Sequence, residues 1–212
     1  MIEAVVACVV KRLANTPPET TAPQGIPVGI SNRHVHLSAR DAAALFGNGH
    51  ELTKVKELRQ VGEFAAAETV LLVGPKGVIQ GVRVLGPVRR ASQVEISRTD
   101  GFLLGISPPV RDSGQLAGAA GITVVGPAGA LSLREGVIIA TRHIHMSEAD
   151  AALYGLADED RVAVETSGPR AVSFKNVMVR VDARFRLEFH IDTDEANAAG
   201  LNNGDLVGLA KG

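Results

Sequence analysis

SNRHVHLS (residues 31–38) is written a second time as TRHIHMS (residues 141–147), with the same Arg-His-apolar-His core. The match extends past the histidines. Arg33, His34, His36, Ser38, Asp41 and Ala42 meet Arg142, His143, His145, Ser147, Asp150 and Ala151 at one constant offset. A repeat of this length means two homologous halves, each a structural unit built on one plan. In each half the Ser after the second histidine is suited to cap a short helix. Asp41 or Asp150 at the third helical position completes a weak capping box, and Gly47 or Gly155 ends the helix.

Outward from these motifs the chain reads as short β-branched or alternating runs separated by Gly, Pro, Asn and Asp. They are IPVGIS (26–31), TVLLVG (69–74), VIQGVRVLG (78–86), SQVEIS (92–97), ITVVG (122–126), GVIIATRHIHM (136–146), RVAVET (161–166), VSFKNVMVRV (172–181), FRLEFHI (185–191) and LVGLA (206–210). Helices are few and short, which predicts barrels or sandwiches rather than a doubly wound sheet. A smaller repeat, AALYGLADEDRVAV (151–164) and ANAAGLNNGDLVGL (196–209), has the helix-Gly-Leu-turn-Asp shape of a half-unit in pseudo-symmetric barrels such as the double-psi class. The expected fold is mainly β with a few short helices: two pseudo-symmetric β-barrel domains from an internal duplication, residues 26–125 and 126–212.

The N-terminus stands apart. In MIEAVVACVVKRLA (1–14) the apolar residues Ile2, Val5, Val6, Val9, Val10 and Leu13 share one helical face. The run lacks the basic start of a secretory signal and is far too short to span a bilayer. A Pro/Thr-rich linker, residues 15–25, follows. Docking to a partner and packing on the chain's own domain both fit this pattern.

Composition excludes some partners. With 22 basic and 23 acidic residues, no Trp and one Tyr, the chain offers nucleic acid neither a basic surface nor stacking platforms. A small polar or anionic substrate remains open. The single cysteine, Cys8, rules out an internal disulfide and fits a reducing compartment.

Residues two apart on a strand leave the same face, so His34 with His36, and His143 with His145, can each serve one metal ion. A lone pair of this kind is as readily a hydrogen-bonded core feature. Four of only six histidines in two matching pairs is not. The third ligand expected in the second half is His190 in LEFHIDTDEANA, and in the first half Glu95 in SQVEISRTD, since both precede an Ile at a strand end. Such sites suit zinc, with cobalt, nickel or iron(II) as alternatives. Arg89 and Arg90 follow a Gly-Pro turn shortly before Glu95, near enough for a guanidinium to hold an anion at the metal. Arg33 and Arg142 should point to the opposite strand face, toward ion pairs or ligand contacts outside the metal pocket. His50 has no counterpart in the second half and reads as a surface or turn residue.

GISNRHVHLS, GPVRRASQVEIS, RHIHMSEAD and FHIDTDEANAAG, in that order and spacing, resemble the PduL-type phosphate acyltransferases, the propanediol-utilisation phosphotransacylases. The resemblance runs from about Ile26 to the C-terminus. It implies two β-barrel domains with a dinuclear zinc site between them, and interconversion of acyl-CoA plus phosphate with acyl phosphate plus coenzyme A. Carried over by motif, it implies that His34, His36 and Glu95 hold one zinc, that His143, His145 and His190 hold the other, and that Arg89 contacts phosphate. It also implies that residues 1–14 serve as an encapsulation peptide toward the shell proteins of a bacterial microcompartment, and that the protein is cytoplasmic within it. Coenzyme A is harder to place: the backbone around Val28, Arg83 and Asn197 are the positions expected to meet it. A homo-oligomer is expected, with propanoyl or another short acyl group as cargo. Attack by phosphate, with no acylated residue, is the expected route, and Cys8 lies remote from every histidine. Two other classes stay open: a metal-dependent acyl-CoA thioesterase on the same ligands, and a non-catalytic metal-binding microcompartment cargo protein.

Overall fold

The computed structural model describes residues 25–210. The expected N-terminal helix, Cys8 and all of the linker but Gly25 lie outside the described residues. Among the described residues fourteen strands and four short helices follow in the order β1 (Ile26–Ser31), β2 (His34–Ser38), α1 (Ala39–Phe46), β3 (Lys54–Glu57), β4 (Phe64–Val73), β5 (Val78–Arg89), β6 (Gln93–Glu95), α2 (Arg98–Leu104), β7 (Val110–Arg111), β8 (Ala120–Val125), β9 (Ala130–Ala140), β10 (His143–Met146), α3 (Glu148–Tyr154), β11 (Arg161–Glu165), β12 (Ser173–Val181), β13 (Glu188–Asp192), α4 (Thr193–Ala199) and β14 (Leu206–Leu209). No described helix is long and apolar enough to cross a membrane.

The strands close two six-membered barrels, as the repeat predicts. One runs β4-β5-β2-β6-β9-β8 and returns to β4; the other runs β11-β12-β10-β13-β1-β14 and returns to β11. Read in that order, the two rings have the same succession of parallel and antiparallel pairs. Strands β3 and β7 are added at the margins of the first ring, on β4 and β9.

The duplication is not laid out as two consecutive blocks. Strand β1, which leads into the first histidine strand, belongs to the barrel of C-terminal strands, where it pairs with β13 and β14. Its counterpart β9, which leads into the second histidine strand, belongs to the other barrel, paired with β6 and β8. Each repeat has thus lent its first strand to its neighbour. A division at residue 125 cuts both barrels, leaving each without one strand. Only Asn32 and Arg33 separate β1 from β2, and only Thr141 and Arg142 separate β9 from β10. A two-residue link would suit a hairpin, but the strands it joins pair in different barrels, so each link is a crossing from one barrel to the other.

Alternation along the histidine strands then divides the labour. Val35 and Leu37 point into the first core, beside Leu45, Leu72, Val84 and Val94. Ile144 and Met146 point into the second, beside Ile26, Val164, Val179 and Phe189. All four are fully buried, each stabilising its barrel by about 2–3 kcal/mol. The histidines leave by the opposite face.

The helices are seven or eight residues long, too short to persist alone. Caps hold them. Ser97 with Asp100, Ser147 with Asp150, and Asp192 with Glu195 form complete capping boxes. The box expected at Ser38 is half made: its hydroxyl accepts from the Asp41 N–H, but the Asp41 carboxylate accepts from the Ser92 hydroxyl at 2.5 Å instead of turning back.

Candidate metal centre

In the first barrel His34 stands opposite Glu95 in the β2–β6 ladder, and His36 opposite Gln93. In the second, His143 stands opposite His190 and His145 opposite Glu188. The third ligand proposed in each half is therefore the cross-strand neighbour of the first histidine. Both triads, His34/His36/Glu95 and His143/His145/His190, bring one donor atom from each residue within 4.8 Å of the others.

The crossing links aim the leading histidines. His34 Nδ1 donates to the Asn32 carbonyl at 2.8 Å, and His143 Nδ1 to the Thr141 carbonyl at 2.7 Å, which fixes each ring and leaves Nε2 as its lone-pair nitrogen. The trailing histidines differ. The Nδ1 atoms of His36 and His145 are buried and have no hydrogen-bond partner, a cost that a bound cation would remove.

Electrostatics agree with that reading. Burial, the neighbouring His34 and the Arg89 guanidinium press the His36 pKa down to about 2. Burial, His190 and Arg180 take His145 down to about 3, and burial with the same two neighbours and His145 holds His143 well below its ordinary value. These three imidazoles are neutral at any physiological pH, the form a metal requires. Neutral buried donors, two orphaned nitrogens and converging triads together fit a pair of divalent ions of the zinc class.

The clusters share one interface. A cavity of about 40 Å³ between the barrels is lined by Glu95 from the first triad and by His143 and His190 from the second, together with Asn32 and Thr141 of the crossing links. Residues 112–114, which follow β7, tie the two together. Ser113 Oγ donates to Glu95 Oε1 at 3.2 Å and accepts from Gln93 Nε2 at 2.8 Å and from Arg89 Nη1 at 3.2 Å. Gln93 also donates to Glu95 Oε1 at 2.5 Å. Asp112 lies 3.3 Å from Arg180 of the second barrel.

Arg89 is therefore beside the first cluster, its fork held by Ser113 and by Glu63 at 2.7 Å. Arg180 lies beside the second, opposite His145 in the β10–β12 ladder, where the first barrel has Leu85 opposite His36. Sequence reasoning missed it, yet the signal was present: in VMVRV the valines alternate, and Arg180 takes the face shared with the histidine strand. Glu188 was also missed. Burial would raise its pKa, but hydrogen bonds from His190 and Gln60 and the charges of His190 and Arg59 bring it below the ordinary carboxylate value.

Arg33 and Arg142 make the ion pairs expected of them. Arg33 grips the Asp100 carboxylate with Nε and Nη2 at 2.9 and 2.7 Å, and Arg142 reaches Glu195 at 2.8 Å. His50 is a turn residue stacked on Phe46 and bonded to Glu68 at 2.9 Å. The positions expected to meet coenzyme A are dispersed. Val28 is buried, and its N–H and C=O are both taken by the Gly204–Asp205 turn. Arg83 is exposed and donates to the Ala66 and Ala67 carbonyls, while Asn197 lies exposed on α4.

Comparison with known proteins converges on one assignment. The family profile of phosphate propanoyltransferase matches residues 27–202. A phosphate propanoyltransferase of Thermotoga maritima is 63% identical over 185 residues, covering 86% of this chain and 88% of its own. One from Rhodobacter capsulatus is 55% identical over 191 residues, covering 90% and 89%. One from Salmonella typhimurium is 54% identical over 179 residues, covering 84% and 85%. The barrels, the paired histidine strands and this likeness along nearly the whole described chain agree: the protein is an acyltransferase of the phosphate propanoyltransferase family.

Proposed function

We propose that the chain moves a short acyl group, propanoyl first among them, between coenzyme A and inorganic phosphate, with one zinc ion in each cluster. The observation that carries this reading is the meeting of two converging triads at a single cavity between the barrels, with His36, His143 and His145 held neutral by burial and an arginine beside each cluster. In the reaction a phosphate oxygen bonds to the thioester carbonyl carbon, the carbon–sulfur bond breaks, and coenzyme A departs as the thiolate. Metal ions bound there would supply positive charge for the thiolate, the phosphate and the oxyanion between them.

The chain's own residues do the positioning. Arg89, its fork already oriented by Glu63 and Ser113, exchanges those partners for two phosphate oxygens. Arg180 places a second cation by His143 and His145. Gln93 and Ser113 fix Glu95 so that its carboxylate does not swing when the substrate arrives. Burial between two barrels keeps bulk water from competing with phosphate for the carbonyl. Arg83 and Asn197 remain the proposed contacts for coenzyme A. Residues 1–14, with their single apolar face, are proposed to dock on microcompartment shell proteins.

The test is thiol release from propanoyl-CoA by purified, metal-analysed protein, with and without inorganic phosphate. Release that requires phosphate and stops on chelation is the expected result. Release that proceeds equally without phosphate would make the enzyme a thioesterase, and no release at all would leave a metal-binding cargo protein.

A further inference from the structure

We propose that Gln60, carried by the first barrel, is a positioning residue for the three-histidine cluster of the second, acting through Glu188. The proposal rests on the reading that this cluster holds a divalent ion.

The turn between β3 and β4 reverses the usual order of burial. Val61 is 58% exposed and Arg59 is half exposed, with its Nε 3.8 Å from Glu188 Oε1, while Gln60 between them is 7% exposed. A polar side chain is buried at a hairpin tip only where its hydrogen bonds are made for it. Gln60 makes three, all to the other barrel. Its Oε1 accepts from the Arg186 N–H at 3.1 Å, and its Nε2 donates to the Arg186 carbonyl at 3.2 Å and to Glu188 Oε2 at 3.2 Å. One amide thus engages both main-chain groups of Arg186, as a neighbouring strand would, and fixes the chain two residues before Glu188.

The same carboxylate oxygen accepts from His190 Nε2 at 2.5 Å. A carboxylate behind an imidazole is the arrangement by which ligating histidines are oriented, and its loss weakens metal binding. Strand β1 supplies the third constraint. A Cβ at Gly29 would fall 2.7 Å from Glu188 Cδ and 2.8 Å from Oε1, so the glycine is what gives the carboxylate room.

The first cluster is supported differently. Gln93, at the position matching Glu188, is held by Ser113 and Gly114 of its own barrel. In the second cluster, by contrast, the carboxylate behind the histidine is held from across the interface, by Gln60. The metal affinity of that cluster is therefore coupled to the docking of the two barrels.

The experiment is a titration of the chelator-stripped full chain with cobalt(II), followed by the absorption of the bound ion. Wild type takes up two equivalents. Gln60→Met keeps the volume and loses the amide. It should weaken one of the two sites about 10- to 100-fold and leave the other unchanged, with kcat lowered and the KM for phosphate unaltered. Gly29→Ala displaces Glu188 while Gln60 stays intact, and should weaken the same site. Should Gln60→Met fold poorly, the isosteric Gln60→Glu, which loses the Nε2 donor to Glu188, carries the test. Gln60→Met added to Glu188→Gln should cost no more than Glu188→Gln alone. A folded Gln60 variant that keeps both sites at wild-type affinity would overturn the role of Gln60, whatever Gly29→Ala does. Wild type that takes up no second ion would overturn the metal reading itself.

Discussion

Among single residues the histidines carry the largest electrostatic consequence. Without metal, His36, His143 and His145 stay neutral in the folded chain far below the pH at which an unfolded histidine takes up a proton. Their folded pKa values are depressed, so stability is complete above about pH 6.5, the unfolded value. It is lost as pH falls toward the folded values of about 2 and 3 for His36 and His145. Each contributes up to about 1.4 kcal/mol per pH unit over that window. Urea midpoints of chelator-treated protein should therefore fall between pH 7 and 5, and a flat profile would contradict the burial. Arg89→Lys retains the charge but not the fork: the KM for phosphate should rise about tenfold or more, roughly 1.4 kcal/mol of binding. An unchanged phosphate KM in steady-state assays would remove Arg89 from the phosphate site. The six positions that converge in the two clusters were legible because strand alternation and the internal repeat are both written in the sequence itself. Gln60, Ser113 and Glu188 were not. Their roles come from partners in distant elements, and nothing in DSG or RQV announces them.

At the scale of elements, the short helices depend on their first turns. Asp100 closes a capping box with Ser97 and also receives both nitrogens of Arg33. Asp100→Ala should cost about 2 kcal/mol, more than the ~1 kcal/mol typical of a cap alone. Ser147→Ala, which removes only a cap, should cost about 1 kcal/mol. Thermal or urea unfolding of the two variants measures the difference, and equal losses would mean that the Arg33 pair adds nothing. The Ser-to-Gly frames of α1 and α3 could be read from sequence because caps are written within a few residues. Strands β3 and β7 could not. KVKE is exposed at all four positions and VR has only two residues, so each becomes a strand only because β4 or β9 lies alongside.

The whole molecule is ordered by the exchange of β1 and β9. Cutting the chain in the turn between β8 and β9 gives two pieces that each lack one strand of a closed ring. Neither should unfold cooperatively by itself, while the mixed pieces should regain a single transition. A separately folded C-terminal piece would overturn this. Strand composition announced barrels; which barrel owned β1 was invisible, because its partners Phe189 and Val207 lie at the far end of the sequence. The same distance sets a timetable for synthesis. Ile30 and its partner Asn203 are 173 residues apart, so a ribosome adding roughly 5–20 residues per second needs about 10–35 s to deliver the second after the first. The first barrel can close once β9 has emerged. The leading strand, with both edges bare, must wait for the last one, and neighbouring nascent chains on one message all display that strand at the same time. Spacing of ribosomes along the message therefore becomes a determinant of whether copies of this enzyme mature singly or entangled.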